Sequence, residues 1–525
     1  MSTTELINRK TSPSSPDASP PPIHQEKPSF ESTNHPKPGD SEASPSRPTI
    51  AVALRRVLEV VQTNMKPERE LGTPPSAWQG LRAIITMSYL NILLICIPVS
   101  WALHFVWQNN TTSTQDTIIF VFSFLSIVPL AKLLAFSTDE LSCRVGQTLA
   151  GLLNATLGNA VELIVSIIAL VKCELQIVQS SLVGSILSNL LLVLGMCFFA
   201  GGTKFSEQGF GVSATQLNSS LLTVSVIAVL LPAAFHFSAG AVIVDSTEGP
   251  EILAVSHGSA IILLFIYLSY LVFQLFSHKN LYNDSTGANF QSTAYPKHKP
   301  NRLTRRFVLH KKKKASDEEK VDGQPTAIAT SDGEATDPAA TSSETHVNGP
   351  STAEEEEEDQ PLLSVSMTIA LLVFVTVIVA VTAEFLVDSI DGLTDTGHIS
   401  KEFVGLVLLP IVGNAAEHVT AVTVSVKDKL DLSLGVAVGS SIQIALFVIP
   451  FVVVLGWIIG KPLTLLFDPY ESIVLFLSVL VVNYTVADGK SNWLEGMILM
   501  CLYLMLAVTF WYYPGVNISQ QLAQC

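Results

Sequence analysis

The chain has 525 residues, 48% of them hydrophobic and only 14% charged, with a mean hydropathy of +0.43 and a formal net charge of -15. Soluble domains carry about 25% charged residues, so this composition excludes an ordinary soluble protein and points to an all-α polytopic membrane protein. Six cysteines (Cys96, Cys143, Cys173, Cys197, Cys501 and Cys525) are scattered with no C-x-x-C pair, which argues against a disulfide scaffold or a zinc site and for small core hydrophobes.

Residues 1–80 read as a disordered cytosolic tail, rich in Pro, Ser and charge, interrupted by a short helix around Val52 to Met65. No cleavable signal peptide is visible in it. Eleven apolar runs of bilayer-crossing length follow, at 83–107, 117–137, 149–171, 175–200, 214–237, 252–277, 363–389, 402–426, 430–458, 470–487 and 494–513. Between the sixth and seventh lies a polar loop, 279–362. Its first half is basic, from Lys297 to the Lys311–Lys314 run, and its second half is acidic. From Asp317 to Asp359 fourteen acids face one base, Lys320, a net of -13, so nearly all of the charge sits here.

Positive charges mark cytosolic flanks. Arg55, Arg56, Lys66 and Arg69 precede the first span, and the basic half of the loop follows the sixth. Both therefore face the cytosol, and eleven spans leave residues 514–525 on the lumenal side. The sequons at Asn109 and Asn517 would share that side.

The two halves repeat a polar motif inside apolar runs. Gly158-Asn159-Ala160-Val161-Glu162 recurs as Gly413-Asn414-Ala415-Ala416-Glu417, and Gly184-Ser185 recurs as Gly439-Ser440. Both pairs are offset by 255 residues, from 413 minus 158 and 439 minus 184. Spans two to six (117–277) and seven to eleven (363–513) make two sets of five, with 83–107 as an extra N-terminal helix. Five is odd, so the repeats are inverted and their motifs should meet near the bilayer midplane.

A carboxylate in an apolar span is costly and is a functional signal by default. Asn159 and Glu162 are three apart, as are Asn414 and Glu417, so each pair is expected on one helix face. Ser185, Ser188, Asn189, Ser440, Ser441 and Gln443 add oxygens from the adjoining spans. An all-oxygen cluster with two carboxylates suits a hard divalent cation such as Ca²⁺, which takes six to eight oxygens. Buried carboxylates also favour protons. Competition between the two ligands is a minimal mechanism for exchange. A thousandfold ion gradient costs about 4.1 kcal/mol and two charges against 100 mV about 4.6 kcal/mol. One pH unit returns about 1.4 kcal/mol per proton, so at least two protons per ion are needed.

At GNAVE (158–162), GSILSN (184–189), GNAAEH (413–418) and GSSIQI (439–444) the sequence resembles the Ca²⁺/H⁺ exchanger (CAX) family of the cation/Ca²⁺ exchanger superfamily. The stretches Ala383–Ser389 and Asp488–Gly496 are similar to it as well. The resemblance implies a vacuolar Ca²⁺/H⁺ antiporter, multi-pass in the vacuolar membrane, discharging lumenal protons against cytosolic Ca²⁺. It implies cation and proton binding by Glu162 and Glu417, with Asn159, Asn414, Ser185 and Ser440. Gln443 joins this set from the residue reading, and His418 matches a family position for proton handling or gating. No resident cofactor and no nucleic-acid partner are expected; the partners are Ca²⁺, protons and the lipid bilayer, with homo-oligomerisation open.

A Mn²⁺ or monovalent-cation/proton exchanger of the same fold is the alternative. An intramembrane hydrolase would need a motif such as H-E-x-x-H or G-x-G-D, and neither is present.

Overall fold

The computed structural model describes residues 76–107, 112–145, 147–239, 245–278, 281, 292–295, 362–395, 397 and 399–515. The expected helix near Val52, both sequons, the basic run and the acidic run lie outside them.

Backbone polar groups in a bilayer must be satisfied within the segment that crosses it, so an apolar chain of this kind folds as helices. A short helix α1 (Ala77–Thr86) precedes α2 (Tyr89–Trp107), α3 (Ser113–Ser142), α4 (Gln147–Leu157), α5 (Ala160–Val171), α6 (Leu175–Gly202), α7 (Val212–Ser238) and α8 (Glu248–Ser277). The second half holds α9 (Val365–Thr394), α10 (Lys401–Gly413), α11 (Ala415–Val426), α12 (Leu430–Ile459), α13 (Pro469–Thr485) and α14 (Trp493–Tyr512). Eight of the described helices are long and apolar enough to cross a membrane, and nine if α10 and α11, bent by 57°, count as one broken span. The helices α5 and α13, with 12 and 17 residues, are apolar but shorter.

Large apolar side chains cover the outside: Ile262, Phe265, Val373, Phe374 and Val508 are all exposed. In water such a surface would be a liability, whereas against lipid it is the expected finish. One continuous core joins both halves, from Leu134 and Val178 through Leu406 and Ile442 to Phe510. Among the described cysteines Cys197 is buried and Cys96 half-buried, while Cys143 and Cys501 are exposed, so the reading as core hydrophobes fits Cys197 best.

Two departures from the sequence expectation concern local structure. The third and eighth apolar runs are broken helices, interrupted at Gly158-Asn159 and at Asn414. The chain is also not purely helical, because a small three-stranded antiparallel sheet is present. Strand β1 (Phe205–Gly209) lies between β2 (Thr293–Ala294), from the 279–362 loop, and β3 (Lys490–Ser491). Short polar stretches between spans have free edges to pair, and hydropathy alone does not register them. At its other end the loop is held by Glu140, which accepts from the backbone N–H groups of Leu362 and Leu363 at 3.0 Å each.

The 255-residue offset extends to the backbone. It separates Ala160 from Ala415, Val171 from Val426 and Leu175 from Leu430, as 415 minus 160, 426 minus 171 and 430 minus 175 each give 255. Among the described residues the non-glycine positions with positive φ are Cys173 (64°) and Asp428 (63°), again 428 minus 173. A left-handed turn is costly for such residues, so its recurrence at equivalent places marks one repeated local fold.

Helices α6 and α10 cross tightly at Gly184. A Cβ there would run into the backbone of Leu406, and backbone cannot swing aside as a side chain can. Gly184→Ala is therefore expected to destabilise the fold by about 1–3 kcal/mol, read as a lower melting temperature of the purified protein in detergent.

Candidate cation and proton site

The two helix breaks set the site. Asn159 (φ -100°, ψ 30°) precedes α5, and Asn414 (φ -88°, ψ 5°) precedes α11. Each therefore sits at a junction rather than on the same helix face as its glutamate, which corrects the simple three-apart argument. Glu162 and Glu417 fall in the first turns of α5 and α11. Unpaired N–H groups and the helix dipole give such a turn partial positive charge, which suits a carboxylate or the anionic end of an ion site.

Side chains from both halves interlock. Asn189 Nδ2 donates to Ser440 Oγ at 3.1 Å, Ser440 Oγ donates to Asn159 Oδ1 at 2.7 Å, and Asn159 Nδ2 donates to Gln443 Oε1 at 2.7 Å. Asn159, Asn189, Ser440 and Asn414 are all buried. Asn189, already counted among the oxygen-bearing residues and part of the GSILSN stretch, is thus tied into the cluster through Ser440. Ser441, by contrast, gives its hydroxyl to Ala437 O within its own helix, so it offers nothing to the cluster. A wide π turn follows on each side, at Ser188–Val193 and Ile444–Val448. Such turns free carbonyl groups and are common at functional sites.

Several oxygens are left without a partner. Glu162 Oε1, Glu417 Oε2 and Asn189 Oδ1 are buried atoms with no hydrogen bond, and so is Asn414 Nδ2. Buried acceptors without donors are costly and rare. Three in one cluster mark a place that a cation, protons or water would complete.

Two cavities meet at this point. A small one of about 20 Å³, room for about one water, is lined by Glu162, Ser185, Ser181, Pro410 and Gly413. A large one of about 540 Å³ is lined by Glu417, Ser440, Gln443, Gly158 and Gly413, and runs to Asp139, Gln274 and Leu281. Those last three belong to the end of the molecule from which the 279–362 loop departs. Gly413 borders both cavities, and a Cβ on it would lie 2.7 Å from Glu162 Oε1.

His418 is near but not joined to either glutamate by a hydrogen bond. Its Nε2 lies 3.4 Å from Ser188 Oγ. The residue 255 positions earlier is Leu163, so the imidazole is a feature of one half only.

The model of the sodium/calcium exchanger protein family matches residues 116–276 and 367–512, more than half of the chain. The chain belongs to that family. Within the sodium/calcium exchanger family, the chain is 54% identical over 488 residues to the "Vacuolar calcium ion transporter" of Cryptococcus neoformans var. grubii, covering 88% of this chain and 79% of the relative. It is 36% identical to the "Ca(2+)/H(+) antiporter" of Synechocystis sp., covering 81% and 97%. Among solved structures, the selenium-substituted Ca²⁺/H⁺ antiporter protein YfkE superposes with a TM-score of 0.55 at 26% identity, over 80% of this chain and 99% of that one. The resemblance to Ca²⁺/H⁺ exchangers read from the motifs is thus matched along the membrane domain, and the relatives are transporters and exchangers rather than enzymes by name.

Proposed function

We propose that this exchanger is a vacuolar Ca²⁺/H⁺ antiporter that moves cytosolic Ca²⁺ into an acidic lumen, with Ca²⁺ and protons competing for Glu162 and Glu417. The observation that carries the reading is the pair of glutamates at two helix breaks, with unpartnered oxygens between cavities of unequal size. The carboxylates with amide and hydroxyl oxygens make a hard, all-oxygen set. The names of the fungal and cyanobacterial relatives support the ion and its counter-ion.

The reading includes eleven crossings: α2, α3, the broken α4–α5, α6, α7, α8, α9, the broken α10–α11, α12, α13 and α14. The first is the extra helix, and 117–277 and 363–513 are inverted five-helix repeats that take turns in opening by alternating access. The tail 1–80 and the loop 279–362 face the cytosol and 514–525 faces the lumen. Asn159, Asn414, Ser185, Ser440 and Gln443 complete the ligand set, and His418 serves proton gating.

The test is uptake of labelled Ca²⁺ into sealed vesicles with an acid interior. Uptake is expected with the gradient and its loss when a protonophore dissipates it; uptake that persists without the gradient rejects proton exchange. If unlabelled Mn²⁺ competes better than unlabelled Ca²⁺, the substrate is Mn²⁺ on the same architecture.

A further inference from the structure

A second pair of buried glutamates lies away from the site described above. Glu402 starts α10 and Glu471 lies in the first turn of α13, and each is 1% exposed. They belong to the opposite end of the molecule from the large cavity. Lys401 pairs there with Asp391 at the end of α9, whereas the start of α9 is held at Glu140, beside the cavity.

Both oxygens of Glu402 are used as acceptors, Oε1 by the Gln176 amide and Oε2 by the Ser180 hydroxyl. Glu471 is buried beside Glu402 and shares with it the Ser180 hydroxyl, yet its Oε1 is buried with no hydrogen-bond partner, as is the hydroxyl of Ser472. The remaining titratable neighbours supply no cation. Asp468 is occupied in capping α13, accepting from the N–H groups of Tyr470 and Glu471 at 2.8 and 3.3 Å. Tyr513 donates its hydroxyl to Asp468 Oδ1 and Oδ2 at 3.0 and 2.9 Å. Its phenol is held above the ordinary value by burial and then by Asp468, so it stays a donor. The Lys401 ammonium is taken up by Glu174 and Asp391.

Two facing carboxylates are acceptors only, and like charges so close do not both ionise when buried. Both oxygens of Glu402 already accept from Gln176 and Ser180, and those donors would oppose a cation. The ligand that fits is a proton. We infer that Glu402 and Glu471 form a second proton-binding site, a carboxylic acid hydrogen-bonded to a carboxylate, on the face opposite the large cavity. One proton is taken from water onto a carboxyl oxygen of the pair, and the O–H donates to the other partner. Because α10 runs from Glu402 to the break at Asn414, loss of that proton would place two negative charges at the far end of the helix that leads into Glu417.

The test is infrared absorption of protonated carboxyl groups in purified protein, read as the carbonyl band that shifts in heavy water. The starting protein is the E162Q/E417Q double variant, which removes the other pair from the spectrum. Adding E471Q, or separately E402Q, is expected to remove one carboxyl's worth of this band at neutral pH. Each Gln amide can donate to the remaining carboxylate as the acid did, so a monodisperse protein is expected; if one variant aggregates, the other gives the same reading. An unchanged band in a folded variant overturns the proposal. The measurement needs no Ca²⁺ transport, so its failure leaves the exchange reading standing, and failure of exchange leaves this one.

Discussion

Vesicles carrying E162Q or E417Q are expected to show gradient-driven Ca²⁺ uptake reduced by at least ~100-fold. Each substitution keeps size and polarity but removes one of two negative charges from a buried oxygen cluster. Loss of one partner from a buried ionic pair costs about 3–5 kcal/mol, which is more than two powers of ten in binding. It also removes a place for a proton, so both halves of the exchange suffer. The ion-free protein should melt no lower than the parent, since a neutral Gln is easier to bury than a carboxylate without a donor. Ca²⁺ at 100 times its Kd should raise the parent's stability by about 2.7 kcal/mol and leave the variants unchanged. Wild-type uptake by either variant would remove that glutamate from the site.

The second large effect is expected from Gly413→Ala, which touches neither carboxylate chemically. The new Cβ would meet Glu162 Oε1 at 2.7 Å. That atom is the far end of a flexible side chain, so the conflict is relieved by moving the carboxylate rather than the backbone. The fold should survive with a melting temperature close to the parent's. Uptake should fall by ~10-fold or more, because one ligand of a multi-oxygen site is pushed off its position. A fall in melting temperature matching that in transport would instead make Gly413 a packing residue.

How far the sequence reaches depends on what each feature is made of. Hydropathy is a sum over twenty residues, and it places α3, α6, α9 and α12 within a few residues of the observed ends. The glutamates were legible because an acid is out of place in an apolar run and because this one occurs twice. The breaks at Asn159 and Asn414 were not. Asn and Gly interrupt a helix only in some contexts, and hydropathy averages straight across them. Glu402 and Glu471 were missed for the opposite reason: each begins an apolar run, where an acid reads as a water-facing boundary. Burial comes from tertiary packing, seen in the Gln176 and Ser180 side chains that reach Glu402 from another helix. The sheet strand at Thr293–Ala294 is two residues long, shorter than any periodic signal.

The crossing at Gly184 has a counterpart that behaves differently. Gly439 occupies the same place in the second half, yet a Cβ there would meet nothing within 4 Å. One glycine is clamped while its twin stands clear, on a helix that lines the large cavity. On the proposed alternating-access reading the halves would trade these roles, with one of the two glycines clamped at a time. On that reading, bulk at Gly184 is expected to oppose the state described above, and bulk at Gly439 the alternative state.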